Sequence, residues 1–171
     1  VSVVAALLSG LLGVGCLLPP VEGPVVRGFE APPCEWCAGH RGVRFDTAVG
    51  GPVRAPVAGV VGFAGAVAGS RWLTIEAAGT GALGGGRRVT VGPLQRIGVG
   101  VGARVVAGEV IGFSGRSLLL TLRAPIAGTD RYVDPAPWLA GPVLRPRLVP
   151  LDGRTPPRRR GAPRLVCPIA G

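Results

Sequence analysis

His40 is the only histidine in the chain, and it stands in the stretch CEWCAGHRGVRFD, where two cysteines precede it and one aspartate follows. Any imidazole chemistry therefore happens at this place. Cys34, Cys37 and His40 have the Cys-x-x-Cys-x-x-His spacing of half a zinc site, and no second pair of ligands completes it. The two cysteines are equally suited to close a disulfide, the expected state in an exported protein. Ser117 offers a hydroxyl nucleophile, but its activation needs a base, and His40 is the one candidate, with no acid placed to orient the ring. The expected role of Ser117 is a solvated hydroxyl at a strand start. That of His40 is a partly buried ring bonded to backbone or to Asp46.

The elements that must position these residues are β-strands. Val-rich or alternating runs punctuated by glycine recur as VRAPVAGVVGFAGAVAG, RWLTIEAAG, RRVTVGPL, VGARVVAGEVIGFSG and LLLTLRAP. VGARVVAGEVIGFSG is expected to give two short strands around AGE, and LLLTLRAP a further one. No segment holds a helical period, and a single turn at DPAPWL is the one helical element expected, with Asp134 capping it. Short strands between glycine turns predict an all-β fold, an antiparallel β-sandwich or open barrel. The domain is expected over residues 21–144. Before it, residues 1–20 hold an uncharged apolar run followed by two prolines, which predicts a signal-like or anchoring leader and an exported protein of the cell envelope or outside it. After it, residues 145–171 mix Arg with Pro, lose periodicity and predict a disordered basic tail. Removal of the leader with Cys16 would leave three cysteines, an odd count that implies one free or intermolecular thiol.

Charge is distributed unevenly. The net charge is +10, and all 19 basic residues are Arg, because the chain has no Lys. Residues 21–144 carry 12 Arg against 8 acids, whereas residues 145–171 carry 7 Arg against Asp152 alone. Most of the excess therefore sits in the tail, which suits anionic polymers bound through simple electrostatics. TPPRRRGAPR has no aromatic platform and no groove-reading motif, so specific nucleic-acid recognition is not expected.

RAPVAGVVGFAG, followed by VGARVVAGEVIGFSG, resembles the paired half-motifs of the hybrid barrel found in biotinyl and lipoyl carriers and in the lysostaphin-like, or LytM-type, zinc peptidases of bacterial cell walls. The carriers hold their cofactor on a lysine, which this chain lacks. The peptidase resemblance runs in order over residues 25–144, through VVRGF, GHRGV, APVAGVV, VGARVVAGEVIG and LRAPIAGTDRYVDPAPWL. It implies the duplicated hybrid motif fold and, in active members, one zinc ion that cleaves peptide cross-links of peptidoglycan. The family's first motif is His-x-x-x-Asp, with both residues as ligands. Its last is His-x-His, whose second histidine completes the zinc site and whose first serves in catalysis. On this sequence His40 takes the first ligand position, and Arg44 stands where the aspartate belongs, with Asp46 two residues late. Ser117 and Leu119 fall on the His-x-His positions, and a further family histidine falls near Gly92.

That pattern argues against a zinc site. A catalytic zinc takes three protein ligands and an open position for water. Leu119 cannot ligate, and Arg44 is a permanent cation. Two positive charges about 4 Å apart repel by roughly 4 kcal/mol at an effective dielectric of 20. No cofactor is therefore expected, and His40 would be a vestige of a metal site. Arg44 could substitute for the cation by pairing with Asp46, or could bind a wall-peptide carboxylate in the groove. The resemblance then implies a catalytically inactive homologue that binds peptidoglycan or regulates a cell-wall hydrolase. Two alternatives stand beside it: an active metallopeptidase whose zinc is held by His40 and Asp46 with Cys34 or Cys37, and a basic protein that binds polyanions.

Overall fold

The computed structural model describes residues 16–34, 36–79 and 85–142, and the pair 165–166. β-Structure dominates, as the alternating runs predict. The strands are β1 (Val25–Arg27), β2 (Val43–Asp46), β3 (Pro52–Arg54), β4 (Gly59–Val67), β5 (Ser70–Ala77), β6 (Arg88–Ile97), β7 (Arg104–Val105), β8 (Val110–Ile126) and β9 (Thr129–Val133). They form one antiparallel sheet in the order β1-β2-β8-β6-β5-β4-β7, with β3 and β9 also on β8. The sheet is open, as expected. No helix among the described residues is long and apolar enough to cross a membrane.

β8 is the spine. One of its sides meets β6, and the other meets β3, β2 and β9 in succession, at Val110–Phe113, Ser117–Leu120 and Leu122–Ile126. The sequence predicts separate strands here, one ending in VIGFSG and another at LLLTLRAP, where the structure has one. Ser114 explains the continuity: it is fully buried, and its hydroxyl donates to the Ala48 carbonyl at 2.9 Å while its amide donates to the Gly51 carbonyl. The loop between β2 and β3 thus supplies the partners that a turn would have sought in water.

Alternation along β8 sets the two faces of the sheet. Leu118, Leu120 and Leu122 are fully buried, with Val89 and Val91 of β6, Leu73 and Ile75 of β5, and Val43 and Phe45 of β2 in the same core. Ser117, Leu119, Thr121 and Arg123 therefore point to the opposite face, and so do Arg44, Thr90, Trp72 and Thr74 on the neighbouring strands. The hairpin β8–β9 turns at Ala127-Gly128 and the hairpin β4–β5 at Ala68-Gly69, each with two consecutive positive φ values. This is the backbone that a two-residue connection between right-twisted strands requires.

Contacts of the sheet domain reach residues before its expected start, and a separate two-stranded sheet follows it. Leu17, placed by the sequence in the apolar leader, is fully buried, donates its amide to the Trp138 carbonyl and accepts from the Ala140 amide. Val21 joins the same core. Residues 16–20 thus belong to the fold, and residues 1–15 lie outside the described residues. Cys16 is disulfide-bonded. At the other end, the expected turn at DPAPWL is a short 3-10 turn, Ala136–Trp138, and Asp134 accepts from the Ala136 amide at 2.9 Å, as the capping role requires. β10 (Gly141–Pro142) then pairs with β11 (Leu165–Val166), a departure from disorder inside the stretch expected to be a tail. The rest of that stretch lies outside the described residues.

Candidate functional site

The face of the sheet opposite the core carries the residues singled out by the sequence. Arg44 on β2 lies directly across from Leu119 on β8, and Leu119 directly across from Gly92 on β6. One row of the sheet therefore brings together three positions separated by up to 75 residues in sequence. The next row on the solvent side pairs Asp46 with Ser117. In the other direction Thr121 pairs with Thr90, and the Thr90 hydroxyl is 2.8 Å from that of Thr74.

His40 lies in the loop before β2, against the segment that follows β1. Its backbone pairs with Glu30, its ring is 5% exposed, and its Nδ1 lies 2.6 Å from the Gly28 carbonyl. A carbonyl only accepts, so Nδ1 carries the proton in that bond, which leaves Nε2 as the ring's possible donor atom to a metal. Nε2 is buried and has no hydrogen-bond partner among the described residues. Of the two partners expected for His40, backbone or Asp46, the backbone is found. Nearby, Arg27 forms an exposed pair with Glu30 at 2.9 Å, and this hydrogen bond and charge hold the Glu30 carboxyl below the usual carboxylate range.

Arg44 does not pair with Asp46. Its NH1 donates to the Ser117 hydroxyl at 3.4 Å, and no ion pair joins Arg44 to an acid among the described residues. Asp46 is exposed, and its Oδ1 accepts from the Thr47 amide at 3.1 Å. Gly92 is closed by its neighbour: a Cβ built there would stand 2.5 Å from Cε3 of Trp72 and 2.9 Å from the Arg71 carbonyl. The indole thus occupies the space that any side chain at Gly92 would need. Gly92→Ala is expected to destabilise the protein by about 1–3 kcal/mol through overpacking, readable as a lowered urea midpoint. An unchanged midpoint would mean that Trp72 moves aside freely.

Cys34 and Cys37 are joined in a disulfide, with the Cys37 amide donating to the Cys34 carbonyl at 3.2 Å. Bonded to one another, they offer no thiolate to a metal, which removes them from the alternative ligand set. Among the described residues no group of three or more His, Cys, Asp or Glu side chains is placed to hold a metal ion. A fit to zinc can be judged from the donors. The orphaned Nε2 of His40 suits a metal, but the guanidinium of Arg44, the isobutyl group of Leu119 and the bare Gly92 do not. The residues present do not fit a catalytic zinc ion.

Sequence reasoning missed the far end of the face. Arg88 and Arg123 converge on Asp130 of β9, with Arg123 Nε at 3.1 Å, and the Arg123 guanidinium lies 4.9 Å from the centre of the Tyr132 ring. TDRYV, after the turn AG, was the signal for this strand. It also missed an open cleft of about 330 Å3 beside Ser117, lined by Pro93, Leu94, Gln95, Arg116 and the loop residue Val49. Gln95 also lines a second cleft of about 710 Å3, where Arg71 and Arg96 stand and Arg96 stacks on Phe113 at 4.2 Å.

Comparison with known proteins places this arrangement. A Mycobacterium tuberculosis protein described as uncharacterized is 33% identical over 159 residues, which cover 88% of this chain and 60% of that protein. The chain thus spans about 60% of this relative's length. Among solved structures, Helicobacter pylori Csd3 superposes with a TM-score of 0.60 at 20% identity, over 75% of this chain and 36% of that one. The catalytic domain of the antimicrobial peptidase lysostaphin from Staphylococcus simulans gives a TM-score of 0.55 at 24% identity, over 67% of this chain and 90% of that domain. These likenesses establish the fold. The model of peptidase family M23 matches residues 38–134, from just before His40 to Asp134, and so spans the whole row of Arg44, Leu119 and Gly92. The chain therefore belongs to peptidase family M23.

Proposed function

We propose that this protein is a catalytically inactive member of its family, exported to the cell envelope, where it binds peptidoglycan or regulates a wall hydrolase. One observation carries the reading. At the positions where the family's spacing sets metal ligands and a further histidine, the sheet presents Arg44, Leu119 and Gly92 in one row. A guanidinium repels the dication that this chemistry needs, and a leucine and a glycine closed by an indole add no donor. His40 alone is no metal site and, with Nδ1 held by the Gly28 carbonyl rather than by an acid and no serine hydroxyl on Nε2 among the described residues, no general base of a serine mechanism. What remains is a polar, arginine-rich sheet face suited to binding. The basic residues 145–171 would add affinity for wall polyanions that falls steeply with salt.

The test is zinc stoichiometry by elemental analysis on the full chain after dialysis against low zinc, with His40→Ala alongside, and release of fragments from purified peptidoglycan. The expected result is a ratio near zero in both proteins, no hydrolysis, and co-sedimentation with the peptidoglycan. A ratio near one that drops in His40→Ala, together with hydrolysis, overturns the reading and makes the protein an active metallopeptidase.

A further inference from the structure

Arg44 is half-buried, and its one side-chain partner among the described residues is the Ser117 hydroxyl at 3.4 Å, a long bond for a guanidinium. Arg has five donors in a planar fork. Burying part of that charge without a carboxylate is unfavourable, so the group is set up to receive an acid from outside. Ser117 opens onto the cleft of about 330 Å3, with the exposed Arg116 at its rim. That volume is at the small end of the range of about 300–1,000 Å3 for ligand clefts.

The cleft is preformed. Its Val49 wall belongs to the loop that the buried Ser114 hydroxyl holds at Ala48, and the Thr47 hydroxyl ties the same loop to the Gly115 carbonyl at 2.6 Å. Val49, Pro93 and Leu94 make the walls apolar, so they suit short aliphatic side chains. Asp46, across from Ser117, is the nearest acid; it is exposed, so water screens its charge, and its Oδ1 is taken up by the Thr47 amide.

We propose that this cleft binds the free C-terminal carboxylate of a short aliphatic peptide, received at its edge by Ser117 and Arg116, which line it, and by Arg44, which does not line it and meets it through the Ser117 hydroxyl. The inference rests on the wall-binding reading above and names what in the wall is bound. The carboxylate accepts from the Arg116 guanidinium and from the Ser117 hydroxyl, which itself accepts from Arg44. A peptide end consumed in an amide cross-link has no such carboxylate, so the cleft distinguishes free ends from cross-linked ones. The replacement of a metal-holding acid by Arg44 then has a positive consequence: a place that favoured a cation now favours an anion.

The test is titration calorimetry of the full chain, in chelator, with N-acetyl-D-alanyl-D-alanine and with its C-terminal amide. The acid is expected to bind at least about tenfold more tightly than the amide, the usual weight of a charge-assisted hydrogen bond. Arg44→Gln is expected to abolish that difference and Asp46→Asn to enlarge it. Arg116→Gln, at an exposed position remote from the core, is expected to reduce the difference and guards against a fold defect in Arg44→Gln. Equal binding of acid and amide, no binding of either, or a difference untouched by both Arg substitutions overturns the proposal. Co-sedimentation with peptidoglycan separates the two levels: if the protein sediments but does not tell acid from amide, the carboxylate site fails alone, and if it does not sediment, the wall-binding reading fails.

Discussion

Replacing Arg44 by Asp and Leu119 by His in the same chain is expected to raise zinc content from near zero to about one ion per molecule. The expectation rests on what is already in place. The Nδ1–H of His40 is held by the Gly28 carbonyl, the kind of outer partner that orients a zinc-bound imidazole, and Nε2 is buried with no hydrogen-bond partner among the described residues. Positions 44 and 119 are direct neighbours across β2 and β8, which sets their Cβ atoms about 4.5–5.5 Å apart. Arg44→Asp changes the local charge by two units in favour of a dication, and Leu119→His supplies the third donor that a catalytic-type site needs. Gly92 is left alone, because Trp72 bars any side chain there. The single substitutions are expected to hold no stoichiometric zinc. Thermal melts offer a second readout, since zinc at about 100 times its dissociation constant would add roughly 2.7 kcal/mol. A double variant that folds and still holds no zinc would show that more than these two side chains separates the site from a metal centre.

Leu17→Ala is expected to destabilise the protein by about 2–5 kcal/mol, the range for deleting a fully buried leucine side chain. At a urea slope of about 2 kcal/mol/M, the midpoint drops by roughly 1–2.5 M. Leu17 has no exposed surface, and its backbone is bonded to Trp138 and Ala140, so it ties the start of the described chain to the segment that follows β9. Were residues 1–20 a removable leader, the same substitution would leave the mature protein's stability unchanged. The experiment thus tests where the folded domain begins.

The sheet was legible because its strands alternate. Leu118, Leu120 and Leu122 against Leu119, Thr121 and Arg123 is a period of two that composition alone cannot imitate. The row of Arg44, Leu119 and Gly92 was legible through a resemblance, since nothing local in HRGVR or SLLL says that the two segments pair. Other features were hidden for physical reasons. VIGFSG and LLLTLRAP read as separate strands until the buried partners of Ser114 are known. VGCLLPP looks like the end of a leader because a buried strand end and a membrane-directed run share the same apolar composition; only tertiary contact tells them apart. The disulfide left Asp46 as the sole companion of His40 in the alternative ligand set, and the sequence could not decide between oxidised and metal-bound cysteines. The Arg88, Arg123 and Asp130 cluster is assembled by the β8–β9 hairpin and the β6–β8 pairing, and no spacing rule reports such a meeting.

β8 holds β3, β2, β9 and β6 together, yet it begins only at Val110. During synthesis the chain exposes β2 and β3 long before the strand that joins them exists. β4, β5 and β6 can meander among themselves, but one side of β6 stays open and the apolar residues of β2 have nothing to cover them. Such a topology closes late and over large loops, which slows folding and leaves sticky intermediates. Newly emerging molecules would thus depend on a holding chaperone until Ile126 has cleared the exit, and a premature stop before Val110 would give an aggregate rather than a smaller domain.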